Sequence, residues 1–156
     1  MSIRSPWPRR RRWPLEMAEL NIVEKVIALE GVELLGSLTP EQLARIGSIA
    51  REVRYPPGRV VISPSKPLDA LYVVIDGALE LTRDSDVLHV ARSNEVLGAW
   101  ALFDEEPLPV TAKTIEDTRL LRISREDFFD LLADHAEITA AVFSTLVRRF
   151  RKLVEP

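Results

Sequence analysis

Between Tyr55-Pro56-Pro57-Gly58 and Ile123 the chain breaks into short extended runs instead of sustaining a helical apolar period. Arg59 to Ile62, Ala70 to Ile75, Ala78 to Thr82, Val87 to Ala91 and Thr118 to Ile123 each read as a strand. Asp76-Gly77 separates two of them as a turn, and Arg83-Asp84-Ser85-Asp86 suits a hairpin tip. Short strands at even spacing predict a small barrel or roll. One short helical element fits inside it, at Ala99 to Phe103.

Helical patterns flank this region. From Met17 onward Ile22, Val23, Val26, Ile27 and Leu29 fall at helical spacing. Thr39-Pro40-Glu41-Gln42 is a helix start: a capping threonine, proline at the first helical position, and a glutamine able to complete a capping box. Leu43, Ile46, Ile49 and Ala50 form the apolar face of that helix, which ends before the Pro-Pro-Gly turn. After the strands, Ser124 caps a helix carrying Phe128, Phe129, Leu131 and Leu132. A last helix spans Glu137 to Val154, with Arg148, Arg149, Arg151 and Lys152 opposite its apolar stripe. The expected division is a disordered basic tail over 1–15 and one domain over 16–156. Within it, helices occupy 17–52, the roll 53–123 and C-terminal helices 124–154.

Charge narrows the function classes. Residues 1–15 hold Arg4 and Arg9 to Arg12 and no acid, so the net charge of −3 leaves −8 on the remainder. An acidic body is a poor phosphate-backbone surface. The arginine run with Trp7 and Trp13 suits an anionic partner or a solvated tail, and the tail is the expected reading. The chain has no cysteine, which excludes disulfides, thiolate metal sites and cysteine nucleophiles. No apolar run reaches the roughly 18 residues of a membrane span, so a membrane role is not expected. The basic start lacks the apolar stretch of a secretory signal, and the expected compartment is the cytoplasm.

Four segments in order resemble the cyclic nucleotide-binding domain, the sensory module of catabolite activator proteins and of cyclic-nucleotide-dependent kinases. They are VELLGSLTPEQLARIGSIAREVRYPPGRVVI, LDALYVVIDGALEL, LGAWALFDEEPLPVTA and RLLRISREDFFDLLADHAEIT. Asp69, Tyr72 and Gly77 fall at family positions, while Ser65-Lys66 replace the usual Gly-Asp. The resemblance implies a mainly β fold with flanking helices, a jelly-roll-like β-roll. It also implies that Leu97, Gly98, Ala99, Trp100, Ala101, Leu108, Pro109, Val110 and Thr111 form a phosphate-binding cassette. In that family the cassette captures the cyclic phosphate on backbone N–H groups at the start of a one-turn helix.

The frame of the cassette survives here, but its ligand-holding groups do not. Ala99 stands at the position of the ribose-binding glutamate, and Leu108 at that of the phosphate-binding arginine. Pro109 follows, where an amide should donate, and proline has none. Losing an arginine–phosphate pair alone costs on the order of 3 kcal/mol, or roughly a hundredfold in affinity. The sequence therefore reads as a degenerate, non-enzymatic regulatory or scaffolding module that does not hold cyclic AMP or cyclic GMP in the usual way. Alternatives are a sensor for another small molecule, or a regulatory piece docked on a partner protein. No cofactor is implied.

Other features carry bland readings beside sharp ones. Trp100 either lids the vacated pocket or packs as a core residue, and the core is favoured. Lys113, His89, His135 and the Asp104-Glu105-Glu106 run read as solvated or capping groups. In catabolite-activator relatives the last helix forms a dimer seam and leads into a DNA-binding motif; here the chain ends at Pro156 and direct DNA binding is not expected. Its stripe runs through Ile138, Val142, Leu146, Phe150 and Leu153. Phe143 is expected to pack on the roll, leaving Leu146, Phe150 and Leu153 for a second copy or a partner protein.

Overall fold

The strand runs build two four-stranded antiparallel sheets in a computed structural model that describes residues 19–104 and 107–155. The basic tail over 1–15, Glu105 and Glu106 lie outside the described residues. The first sheet has the order β1 (Arg51–Tyr55), β8 (Thr118–Ser124), β3 (Ala70–Asp76), β6 (Val96–Leu97). The second has the order β2 (Val60–Ile62), β7 (Thr111–Thr114), β4 (Leu79–Arg83), β5 (Asp86–Ala91). Helices α1 (Ile22–Glu30) and α2 (Pro40–Ile49) precede the sheets, joined by a 3₁₀ turn at Glu33–Leu35. Helices α3 (Arg125–Asp134) and α4 (Ala136–Val154) follow. Among the described residues no helix is long and apolar enough to cross a membrane.

The central pair β3 and β8 is buried on both faces, which explains its nearly continuous apolar sequence. Side chains alternate across a strand. Ala70, Tyr72, Val74 and Leu120 therefore enter a core between the sheets, with Ile62, Leu79, Ala91 and Ala112 from the second sheet. Leu71, Val73, Leu121 and Ile123 enter a separate core beneath the helices, against Leu29, Ile46, Phe128 and Ile138.

Local signals set the ends of the elements. Thr39 Oγ1 accepts from the Gln42 N–H at 3.2 Å, and Gln42 Oε1 accepts from the Thr39 N–H at 3.0 Å. Ser124 Oγ accepts from the Asp127 N–H at 3.1 Å. At the β4–β5 turn Asp84 and Ser85 both take positive φ, 50° and 71°, as a tight hairpin requires. Gly77 turns the chain where a Cβ would come within 2.5 Å of the Asp117 carbonyl oxygen.

Three strands depart from the sequence reading. Residues 51 and 52, expected in the leading helical segment, begin β1. Its charges are accommodated because Glu52 is held by Arg54 at 2.9 Å and by Arg119 at 3.5 Å, and accepts from the Leu20 N–H at 3.1 Å. Arg119 also reaches Asp76 at 2.6 Å. Strands β6 and β7 were not expected at all: one is two residues long, and the other is Thr-Ala-Lys-Thr. Thr114 closes β7, its hydroxyl donating to the Pro56 carbonyl at 2.7 Å and accepting from the Arg59 N–H at 2.8 Å.

The stripe of α4 is divided differently from the expectation. Helix α4 rests mainly on the Glu33–Leu35 turn and on α3, with Ile138 and Val142 in the core that β3 and β8 share. Ile138 and Val142 are buried, and Leu146 is half-buried against the helical core. Phe143, expected on the roll, is 62% exposed.

Candidate functional site

The cassette leaves the first sheet at β6, crosses the mouth of the roll and enters the second sheet at β7. Leu97 is buried in the inter-sheet core. Gly98 then takes a φ of +75°, and a Cβ there would come within 2.5 Å of Leu68 Cδ2 and 3.0 Å of the Ala70 carbonyl oxygen. Only glycine meets both demands. A 3₁₀ turn over Ala99–Leu102 follows, as the expected short helical element. Leu102 is buried in the helical core, and Ala99 and Phe103 pack against it. Phe103 meets Phe128 and Phe129 edge-on, at centroid distances of 6.0 and 6.3 Å. The side chains of Trp100 and Ala101 lie outside what is described, and so does the choice between lid and core for Trp100.

The returning limb turns its side chains into the roll. Leu108 and Val110 are half-buried against the inter-sheet core, on the same side as Tyr72 and Leu97. Pro109 between them is exposed, and its carbonyl oxygen accepts from Arg83 Nε at 3.4 Å. Thr111 is half-buried and pairs with Thr82 across β4 and β7. An apolar side chain, a methyl group and an imino acid thus stand at the three positions where the resemblance calls for a cation, a carboxylate and an amide.

One polar group near the roll's inner face was not singled out as a site from sequence. Arg122 Nε donates to Tyr72 Oη at 3.4 Å, and its Nη2 reaches Asp69 Oδ1 at 3.3 Å. Burial pushes the Tyr72 phenol above its ordinary value, against the opposing pull of Arg122. Because Tyr72 pairs with Arg122 across β3 and β8, the cluster follows from register, which a single sequence does not reveal.

The remaining candidates are dispersed. His89 meets Glu95 at 2.5 Å on the surface, and His135 joins α3 to α4 with Glu137 at 3.5 Å. Lys113 and Asp104 are exposed. Among the described residues no three metal-ligating side chains converge.

Comparison with known proteins now bears on these observations. Residues 52–135 match the family described as the cyclic nucleotide-binding domain. A CRP-like cAMP-activated global transcriptional regulator of Mycobacterium tuberculosis is 24% identical over 135 residues, covering 83% of this chain and 59% of the regulator. A cAMP-dependent protein kinase regulatory subunit of Aspergillus fumigatus is 31% identical over 113 residues, covering 70% of this chain and 27% of the subunit. The chain therefore spans less than two thirds of either relative. Among solved structures, the N-terminal domain of a transcriptional regulator from Streptomyces coelicolor A3(2) matches with a TM-score of 0.77 at 28% identity, covering 82% of this chain and 95% of that one. More than half of the residues fall within the family match, and the chain belongs to the cyclic nucleotide-binding domain family.

Proposed function

We propose that this chain is a non-enzymatic regulatory module whose roll does not hold cyclic AMP or cyclic GMP in the family's usual manner. The observation that carries the reading is Leu108. It packs with Val110 against the inter-sheet core at the position where the resemblance places a phosphate-binding cation. A cyclic phosphate there would meet apolar surface and the exposed Pro109, which has no N–H. The negative charge of a phosphodiester left without partners in such a place is costly. The named relatives, a transcriptional regulator and a kinase regulatory subunit, support a regulatory role over a catalytic one. Titration calorimetry with cyclic AMP and cyclic GMP tests the proposal. No heat of binding is expected at micromolar ligand, and a low-micromolar isotherm with either nucleotide would overturn it.

A partner surface belongs to the same reading. Along α4, Phe143, Val147, Phe150 and Val154 are 62%, 53%, 63% and 61% exposed. Their steps of four, three and four are those of a coiled-coil seam. Leu153, 80% exposed, widens it. The proposed occupant is α4 of a second copy, with Phe143 and Val147 taking the place that sequence gave to the half-buried Leu146. Phe150→Glu should convert a dimer to a monomer in light scattering while leaving the melting temperature of the roll unchanged. A monomeric parent protein at tens of micromolar, on the order of a moderate dimer constant, would sink the idea.

A further inference from the structure

On the side of α4 away from the apolar seam, a cleft of about 340 Å³ opens between α4, the α1–α2 connection and the start of the cassette. Apolar surface in it comes from the half-buried Val96, Ala99 and Leu146, above the buried Val32 and Leu34, and polar groups make up more of the lining. Its rim is polar, with Asn94, Thr145, and Arg149 paired to Glu33 at 2.8 Å. A recess of about 180 Å³ shares Glu33, Thr145 and Arg149 with the cleft and adds Ser37, Arg148 and Lys152. There the Ser37 and Thr145 hydroxyls bond each other at 2.7 Å. Three cations against one carboxylate leave the recess with a local charge of +2, on a body that is otherwise acidic.

We propose that this cleft and recess form a binding site for a small phosphorylated molecule with a planar or apolar body. The body lies against Val96, Ala99 and Leu146, and the phosphate sits in the recess among Arg148, Arg149 and Lys152. The arguments are volume, charge and geometry together. Volumes of roughly 300–1,000 Å³ with apolar surface and convergent polar groups are those of small-molecule sites. Arg148 and Lys152 are one helical turn apart on one face of α4, and neither is bonded to another described residue. Their positions relative to the seam Phe143, Val147, Phe150 and Val154 place them on the outer face of the helix, so a dimer formed through that seam leaves the recess open. Guanidinium and ammonium groups suit phosphate oxygens, which accept several charge-assisted hydrogen bonds at once. The site is distinct from the mouth of the roll, and the lining residue Ala99 is the first residue of the cassette's 3₁₀ turn.

Adenosine monophosphate is the probe, because it carries both parts and lacks the cyclic phosphate. Backbone amide shifts of the isotope-labelled full chain should move saturably at Leu34, Ser37, Ala99 and Thr145. Inorganic pyrophosphate should compete for the recess, and added salt should weaken binding because the cations are exposed. Combining Arg148→Glu with Lys152→Glu should weaken binding roughly tenfold or more. Both residues are solvent-exposed, so the melting temperature of that variant should not change. Should the charge reversal disturb α4, Arg148→Gln with Lys152→Gln gives the same readout without introducing repulsion. The proposal is overturned by shifts that stay flat to about 10 mM, a limit below which even weak sites are detected. It is equally overturned by shifts that map to Tyr72, Leu108 and Val110 inside the roll, or by an affinity unchanged in both double variants.

Discussion

Restoring the missing groups of the cassette is the sharpest test of the idea that Leu108, Ala99 and Pro109 disable it. In the single variant Leu108→Arg, a half-buried leucine is lost from the inter-sheet core. Burying a leucine fully is worth about 1.5–3 kcal/mol, so a half-buried one costs roughly 1 kcal/mol of stability. The new guanidinium offers a phosphate two charge-assisted hydrogen bonds, worth about 3 kcal/mol together after desolvation. That is roughly a hundredfold in affinity, enough to move a site from tens of millimolar to hundreds of micromolar. Pro109 still withholds its amide, and Ala99 still offers nothing to the ribose. Adding Ala99→Glu and Pro109→Ala supplies about 1–2 kcal/mol each. The triple variant should therefore bind cyclic AMP roughly four to five orders of magnitude more tightly than the parent, at about micromolar or below. Calorimetry on the parent, the single and the triple variant measures the series, with melting curves to confirm that each is folded. A folded triple variant that binds no better than the single one would show that the three positions do not act as the resemblance implies. A parent protein that binds as tightly as the triple variant would refute the reasoning altogether.

Two further outcomes follow from the fold. Gly98→Ala should cost about 2–3 kcal/mol, from the positive φ and the 2.5 Å approach to Leu68. That corresponds to a fall in Tm of roughly 4–12 °C. Gly58→Ala, at a φ of +89° with no atom nearby, should cost only the conformational part, about 1 kcal/mol. Equal losses at the two glycines would show that the Gly98 contact is not a constraint. In a spectrophotometric alkaline titration the Tyr72 phenol should ionise above the ordinary tyrosine value, because burial raises its pKa. A phenol with a raised native pKa contributes stability below its ordinary value and loses it as pH climbs through the native value. The parent should therefore lose stability above the ordinary tyrosine range, and Tyr72→Phe should flatten that limb; an alkaline limb unchanged in Tyr72→Phe would contradict the placement of Tyr72.

What the sequence makes legible is whatever is fixed locally. The Thr39–Gln42 box, the Ser124 cap and the Asp84-Ser85 hairpin depend on neighbours within three residues, and the structure has all three. Strand β1 escaped notice because Arg51, Glu52 and Arg54 look solvated, although Val53 and Tyr55 do alternate toward the inter-sheet core. Arg119, some 67 residues away from Glu52, joins Arg54 and the Leu20 N–H in making that carboxylate tolerable in a sheet. The face of α4 was misassigned for a similar reason. A helical wheel shows a wide apolar stripe, but which part is covered depends on the support, and that support is α3 and the Glu33–Leu35 turn. Gly98 was legible as a cassette turn, and its close approach to Leu68 gives the physical reason that glycine is required. The Tyr72–Arg122–Asp69 cluster was not, because its members meet only across strand register.

The cassette, like β3 and β8, contributes to both cores. Its ends, Leu97 on one limb and Leu108 with Val110 on the other, pack between the sheets. Its middle, Ala99, Leu102 and Phe103, packs beneath the helices, with Phe103 against the α3 rings of Phe128 and Phe129. In a ligand-binding member of such a fold, a bound molecule would have to hold the returning limb inward by its charge. Here Leu108 and Val110 supply apolar contact to that limb without any ligand. A packed interior resists displacement because its side chains sit at close-packed density. On the proposed reading, then, the cassette is held near one position by its own side chains. What remains uncovered is the outer side of α4, which presents an apolar seam from Phe143 to Val154 and, away from it, the cations Arg148 and Lys152.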